Sequence, residues 1–163
     1  MQAKSIKLPG PDHPITIEPN PARVTVSLAG RIIADTREAL TLREASYPAV
    51  QYIPRKDVDM SLLQRTDHAT YCPYKGDCAY YSIPSGGKRS ANAVWTYEAP
   101  YAAVAVIKGH LAFYPDRVDE IKEQNSNDAS EERYTILEAN PLALVGSGTP
   151  FVEYTLSSLD AVL

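Results

Sequence analysis

Polar and apolar positions alternate with a period of two over most of the first 120 residues, the pattern of half-buried strands. In RVTVSLAG, Val24, Val26 and Leu28 alternate with Arg23, Thr25 and Ser27. Residues 29–31 supply a turn and IIADT returns, so 23–36 predicts a β-hairpin. EALTLRE continues with Leu40 and Leu42 opposite Ala39, Thr41 and Arg43, and AVQYIP makes a further short strand closed by Pro54. The period changes in KDVDMSLLQRT, where Asp57 or Asp59 caps one or two short helical turns carrying Met60, Leu62 and Leu63. ATYC and CAYYSI then read as strands around the turn PYKGD, and PSGGKRS turns the chain into ANAVWTYEA. YAAVAVIKG, opened by Pro100, reads as a short helix in preference to a strand, and HLAFYP closes the body as a strand. Many short antiparallel strands with frequent turns predict a mostly β sandwich or open barrel with one or two short helices.

The pattern breaks at KEQNSNDASEER (122–133), where Ala129 is the single apolar residue. Such a stretch cannot offset its own ordering entropy and reads as a linker. Apolar character resumes in YTILEANPLALVG. The expected organisation is a body over 1–122, a polar acidic linker over 123–133, and a C-terminal extension over 134–163. That extension either adds a strand to the body or docks on a partner, and an apolar strand there leaves room for a homodimer. A chain of 163 residues, 44% hydrophobic, is the length of one domain and can bury a core.

Charge sharpens the division. Residues 123–163 hold seven acids against Arg133, a balance of −6, which leaves 1–122 at +2 within the overall −4. A mildly basic body with an acidic tail is not the concentrated basic face of a duplex nucleic-acid binder. The longest apolar run, AAVAVI (102–107), is far short of the roughly 20 residues of a membrane span. No apolar stretch follows the lysines of MQAKSIKLPGPDHP, so no export signal is read there and a soluble, cytoplasmic protein is expected.

The candidate chemistry lies in TYCPYKGDCAYYS, residues 70–82. Structural zinc takes four Cys or His ligands, usually in closely spaced pairs, and Cys72 and Cys78 are the chain's two cysteines, with five residues between them; no metal is expected. A disulfide between them is geometrically conceivable, but a cytoplasmic compartment would keep it reduced, and small buried thiols beside a turn are the simpler reading. Lys75 sits at the turn, where Gly76 permits a positive φ angle. Tyr71, Tyr74, Tyr80 and Tyr81 surround it, and Trp95 and Tyr97, two apart, share a face of the strand expected to pair with CAYYSI. Eleven tyrosines against two phenylalanines suit a cavity lined by hydroxyls, since a buried phenol needs a hydrogen-bond partner. The bland alternative for Asp35, Asp57 and Trp95 is structural, as turn cap, helix cap and core filler.

RVTVSLAGRIIADT, QYIPRKDVD, YKGDCAYYS, AVWTYEAP and LAFYPDRVD together resemble, in order, the bacterial and fungal family known as domain of unknown function 427, which also bears a nucleotidyltransferase-like label. The resemblance covers about 23–119. It implies the β-tent fold: mostly β, two antiparallel sheets meeting at an angle. Many β-tent proteins hold a zinc with four cysteines, which this chain lacks, so the resemblance implies the fold and not the metal. Onto this sequence its motif positions place Lys75 and Asp57 as candidates for chemistry. They place Arg23, Tyr52, Tyr81, Trp95, Tyr97 and Tyr114 as candidate ligand-binding residues.

Three functions follow as expectations. The first is a domain that binds a small anionic or heteroaromatic ligand, a nucleotide among them, and acts on it. Lys75 and Arg23 would hold a phosphate or carboxylate, Trp95, Tyr97 and Tyr81 would stack on a ring, and Asp57 would serve as acid or base. The second is a binding module without catalysis, and the third a protein-interaction domain whose tail hooks onto a partner. The nucleotidyltransferase label would require paired carboxylates and a phosphate-cradling loop; SGGKRS lacks P-loop spacing and reads as a turn. No cofactor is expected.

Overall fold

The structure, a computed structural model, describes residues 2–125. Ten strands carry the fold: β1 (Ile15–Asn20), β2 (Arg23–Leu28), β3 (Arg31–Thr36), β4 (Ala39–Glu44), β5 (Val50–Tyr52), β6 (Gln64–Cys72), β7 (Gly76–Ser82), β8 (Val94–Thr96), β9 (Leu111–Phe113) and β10 (Glu120–Gln124). Among the described residues the strands are joined through short 3-10 turns: Arg55–Asp57, Met60–Leu62, Pro84–Ser90, Ala102–Ile107 and Pro115–Arg117. The fold is mostly β, as the alternation predicts, but the strands form three antiparallel sheets where two were expected. Their orders are β1-β4-β5, β10-β2-β3 and β6-β7-β8-β9.

The third sheet arises from a strand that alternation did not reveal. Residues 14–21 carry Pro14, Pro19 and Pro21, which argue against a central strand; β1 accommodates them by pairing on one side, with β4. Glu44 faces Ile15 in that register, and Leu42 faces Ile17. The last strand, β10, was also hidden, because EIKEQ is polar. It pairs along β2, with Ile121 opposite Val26, and carries the body through Gln124. The rest of the expected linker, 126–133, and the extension 134–163 lie outside the described residues.

The β2–β3 hairpin closes through two residues in the left-handed region, Ala29 (φ 52°) and Gly30 (φ 72°), the twist-compatible two-residue turn. Alanine meets a steric penalty there, and the Asp119 carboxylate holds it by accepting from the Ala29 amide at 2.8 Å. Backbone bridges tie the sheets to their surroundings: Ile53, just past β5, and Leu111 of β9 exchange two hydrogen bonds of 2.8 Å, and Ala34 of β3 bridges Val58 in the loop after β5. Asp59, rather than Asp57, caps the Met60–Leu62 turn through the Ser61 amide.

Two apolar clusters form. Val24, Val26, Leu28, Ile33, Ile53, Ile83, Val94 and Phe113 belong to the larger one. The second gathers Leu42, Tyr52, Cys78, Tyr80, Tyr97, Val104, Ile107 and Ala112, with Trp95 and Tyr114 packed against it half-buried. Strand parity sorts side chains between them: on β8, Val94 joins the first and Trp95 the second. The second cluster is rich in hydroxyls, and an open cavity lies against it. Among the described residues no helix is long and apolar enough to cross a membrane.

Candidate functional site

The cavity, about 220 Å³ and open on one side, is walled by β4, β5, β7, β8 and the loops beside them. Its lining includes Leu42, Glu44, Tyr52, Lys75, Tyr80, Trp95, Tyr97 and Tyr114, with Tyr47 and Pro48 at the 45–49 loop. Tyr47 is 66% exposed and marks the rim.

Lys75 enters because of the turn that carries it. Its amide closes the turn onto the Cys72 carbonyl at 3.3 Å, and its carbonyl accepts from the Tyr101 amide at 3.0 Å. Gly76, at φ 109°, a backbone angle that residues with a side chain rarely adopt, then redirects the chain into β7. The side chain folds inward and leaves Lys75 only 6% exposed, contrary to the habit of lysines near turns. Its ammonium pairs with the Glu44 carboxylate and lies 5.9 Å from the Tyr97 ring centre. A buried lysine is tolerated when paired, and Glu44 supplies the partner.

Glu44 ends the apolar face of β4: Leu40, Leu42 and Glu44 point the same way. Its second oxygen meets His13 Nε2 at 2.8 Å, and the His13 ring stacks flat on Tyr74, centroids 4.0 Å apart. Burial works to raise the Glu44 pKa, but hydrogen bonds and charges from Lys75 and His13 outweigh it and hold the carboxyl below its ordinary value. The folded protein therefore favours ionised Glu44. That contribution is complete above the unfolded value near 4.5 and is lost as pH falls through the lower folded value. Unfolding free energy should fall with acid below about pH 4.5, and less steeply in Glu44→Gln; denaturation across pH 3–6 checks it, and equal slopes would contradict it.

The aromatic wall is built by register. Trp95 faces Tyr80 across β7–β8, and directly opposed residues share a sheet face. The Trp95 indole N–H donates to the Tyr52 hydroxyl at 3.1 Å, the two rings meeting edge to face at 6.3 Å. Tyr114 lies across the indole at 4.5 Å, tilted by 45°, with the Arg117 guanidinium 4.4 Å from its ring centre. Tyr80 shares a 2.8 Å hydrogen bond with the Thr70 hydroxyl. Burial pushes the Tyr52, Tyr80 and Tyr97 phenols well above the ordinary tyrosine value, so all three are neutral at physiological pH. Burial also raises the free Cys78 thiol, which suits a packing role rather than a nucleophile. Cys72, half-buried, is likewise free.

Of the residues expected at a site, the structure brings Lys75, Tyr52, Trp95, Tyr97 and Tyr114 to one cavity. Arg23, Asp57 and Tyr81 do not line it. Arg23 sits on the polar face of the β2–β3 hairpin, bidentate to Asp35 at 2.9 and 2.7 Å. Asp57 accepts from the Thr36 hydroxyl at 2.7 Å. Tyr81 points to the opposite side of β7 from Tyr80, into the larger core, and its hydroxyl receives Arg55 at 3.3 Å. Glu44 and His13 were missed, and Tyr80, named beside the Lys75 turn, was passed over for Tyr81. Parity along EALTLRE places Glu44 with Leu40 and Leu42, a signal present in the sequence; His13 had none.

Among the described residues no three His, Cys, Asp or Glu side chains are grouped to hold a metal ion. A family model described as Domain of unknown function (DUF427) matches residues 16–124, about two thirds of the chain. No curated protein matches it.

Proposed function

We propose that this chain, which belongs to the family described as Domain of unknown function (DUF427), binds a small planar ligand in the Lys75–Trp95 cavity without turning it over. The observation that carries the reading is Trp95. A half-buried indole, pinned by Tyr52 and flanked by Tyr114, forms one wall of a cavity whose other side holds a buried ion pair. Concave, mostly apolar surfaces with a few convergent polar groups are the ordinary form of small-molecule sites. About 220 Å³ suits a compound of one or two rings, since an engineered cavity near 150 Å³ takes benzene.

Binding is favoured over catalysis by the titratable groups. Asp57, the expected acid or base, is engaged elsewhere by Thr36. Among the described residues Glu44 is the one carboxylate of the lining, and its lowered pKa makes it a poor proton donor near neutrality. The nucleotidyltransferase label gains no support from these walls, because phosphoryl transfer draws on paired carboxylates, and Glu44 stands alone here beside Lys75. A nucleotide could place at most its base inside.

The test is a thermal-shift screen of one- and two-ring heteroaromatic compounds against the full chain, followed by chromatographic recovery of each hit. A ligand at a hundred times its Kd stabilises the fold by about 2.7 kcal/mol. Hits recovered unchanged support the reading. A hit converted to product faster than in buffer would overturn its non-catalytic part, and a screen without stabilising compounds would overturn it entirely.

A further inference from the structure

The cavity holds hydrogen-bond donors without a protein acceptor among the described residues. An ammonium group carries three N–H bonds, and the Glu44 carboxylate is the one hydrogen-bond partner of the Lys75 ammonium among the described residues. The Tyr52 hydroxyl accepts from Trp95, and its own O–H meets no protein acceptor among those residues. The Tyr97 hydroxyl has the weakly accepting Cys78 thiol for a neighbour. On the acceptor side, one Glu44 oxygen is taken by His13 and the other by Lys75. The Lys75 ammonium therefore keeps N–H bonds for a ligand, beside a carboxylate whose two oxygens are both engaged.

Charge narrows the ligand further. Lys75 and Glu44 cancel, so an anion gains little from an ammonium already compensated and must approach the neighbouring carboxylate. A cationic ring meets Lys75 already in place beside Tyr97. Neither objection touches a neutral acceptor.

We propose that the ligand is an uncharged, planar ring compound bearing a carbonyl oxygen, such as an aromatic lactam. Its ring lies along Trp95 and Tyr114, and its oxygen takes a hydrogen bond from Lys75, with Tyr52 as a second donor. This deepens the binding reading and rests on it. The ion pair acts as a neutral polar anchor: Glu44 fixes the ammonium, and the remaining N–H bonds select an acceptor that carries no charge.

Three single-ring probes separate the possibilities: 2-pyridone (neutral lactam), benzoate (anion) and N-methylpyridinium (cation). Each is titrated into the full chain while the indole N–H resonance of Trp95, the chain's one tryptophan, is followed. The expected result is that 2-pyridone binds roughly tenfold or more tightly than either ion, consistent with a charge-assisted hydrogen bond that the ions cannot use without penalty. Lys75→Met should weaken 2-pyridone by about tenfold. Glu44→Gln, which unmasks the ammonium, should move the preference toward benzoate. Benzoate or N-methylpyridinium binding best to the natural chain would overturn this inference and leave the binding pocket standing. An indole resonance unmoved by all three probes would overturn both. Should either variant fail to fold, the ranking on the natural chain decides alone.

Discussion

Glu44→Ala is expected to lower the unfolding free energy by about 3 kcal/mol at neutral pH, because it leaves the Lys75 ammonium buried without its counter-charge. The reverse truncation is milder: in Lys75→Met, Glu44 keeps the His13 contact and the methionine stem fills the same space. The informative variant is Glu44→Leu combined with Lys75→Met. Replacing both members of a buried pair by apolar groups is often neutral or stabilising, so the double variant should recover most of the loss. Denaturant unfolding of the natural chain, Glu44→Leu, Lys75→Met and the double variant gives the coupling. A loss below about 0.5 kcal/mol for Glu44→Ala, the scale of a solvated surface pair, would mean that water already screens Lys75.

Trp95→Ala should weaken the ligand found by screening roughly a hundredfold, in the range of a buried aromatic anchor at a binding site. Three losses combine: the flat wall itself, the stacking partner of Tyr114, and the N–H donor that orients the Tyr52 hydroxyl. The fold should survive, since the indole is half-buried and Val94 and Thr96, its neighbours on β8, stay in place; the expected cost is about 2 kcal/mol, below that of a fully buried tryptophan. Trp95→Phe keeps a ring without the donor and should fall between. Calorimetric Kd values for the three proteins check this. A change of less than threefold in Trp95→Ala would place the ligand somewhere else.

Much of this molecule was legible in its alternation. The β2–β3 hairpin, the short turns after Pro54, the pairing of β7 with β8 and the common face of Trp95 and Tyr97 all follow from period and turn chemistry. What escaped has physical causes. β1 escaped because prolines at 14, 19 and 21 obscure a strand that pairs on one side only, and with it went the third sheet. β10 escaped because its exposed face makes EIKEQ read as part of the polar stretch that follows, though Ile121 packs on the larger core.

At the site, the choice between Tyr80 and Tyr81 depended on register. Two adjacent tyrosines on a strand face opposite ways, and only the pairing of Tyr80 with Trp95 decides which reaches the cavity. Arg23 was placed at a ligand by the family resemblance together with its charge. Asp35, close by on the neighbouring strand and on the same polar face, satisfies it instead, and the Arg23 hydrogen bond holds the Asp35 carboxyl below its ordinary value. Asp57 was placed at a site by the family resemblance; its carboxylate is instead engaged by the Thr36 hydroxyl, and the cap beside it falls to Asp59. For Lys75 the sequence supplied part of its surroundings. Its neighbourhood of tyrosines was visible, but the carboxylate that allows it to be buried lies 31 residues away on another sheet.

The most direct test uses the single indole as its own probe. Acrylamide quenching of Trp95 fluorescence is measured in the free chain and again with a saturating stabilising ligand. Occupation of the cavity predicts that the free indole is quenched readily and that the ligand cuts the quenching constant severalfold. An equal constant in both states, for a compound that raises Tm, would show that the ligand binds away from Trp95.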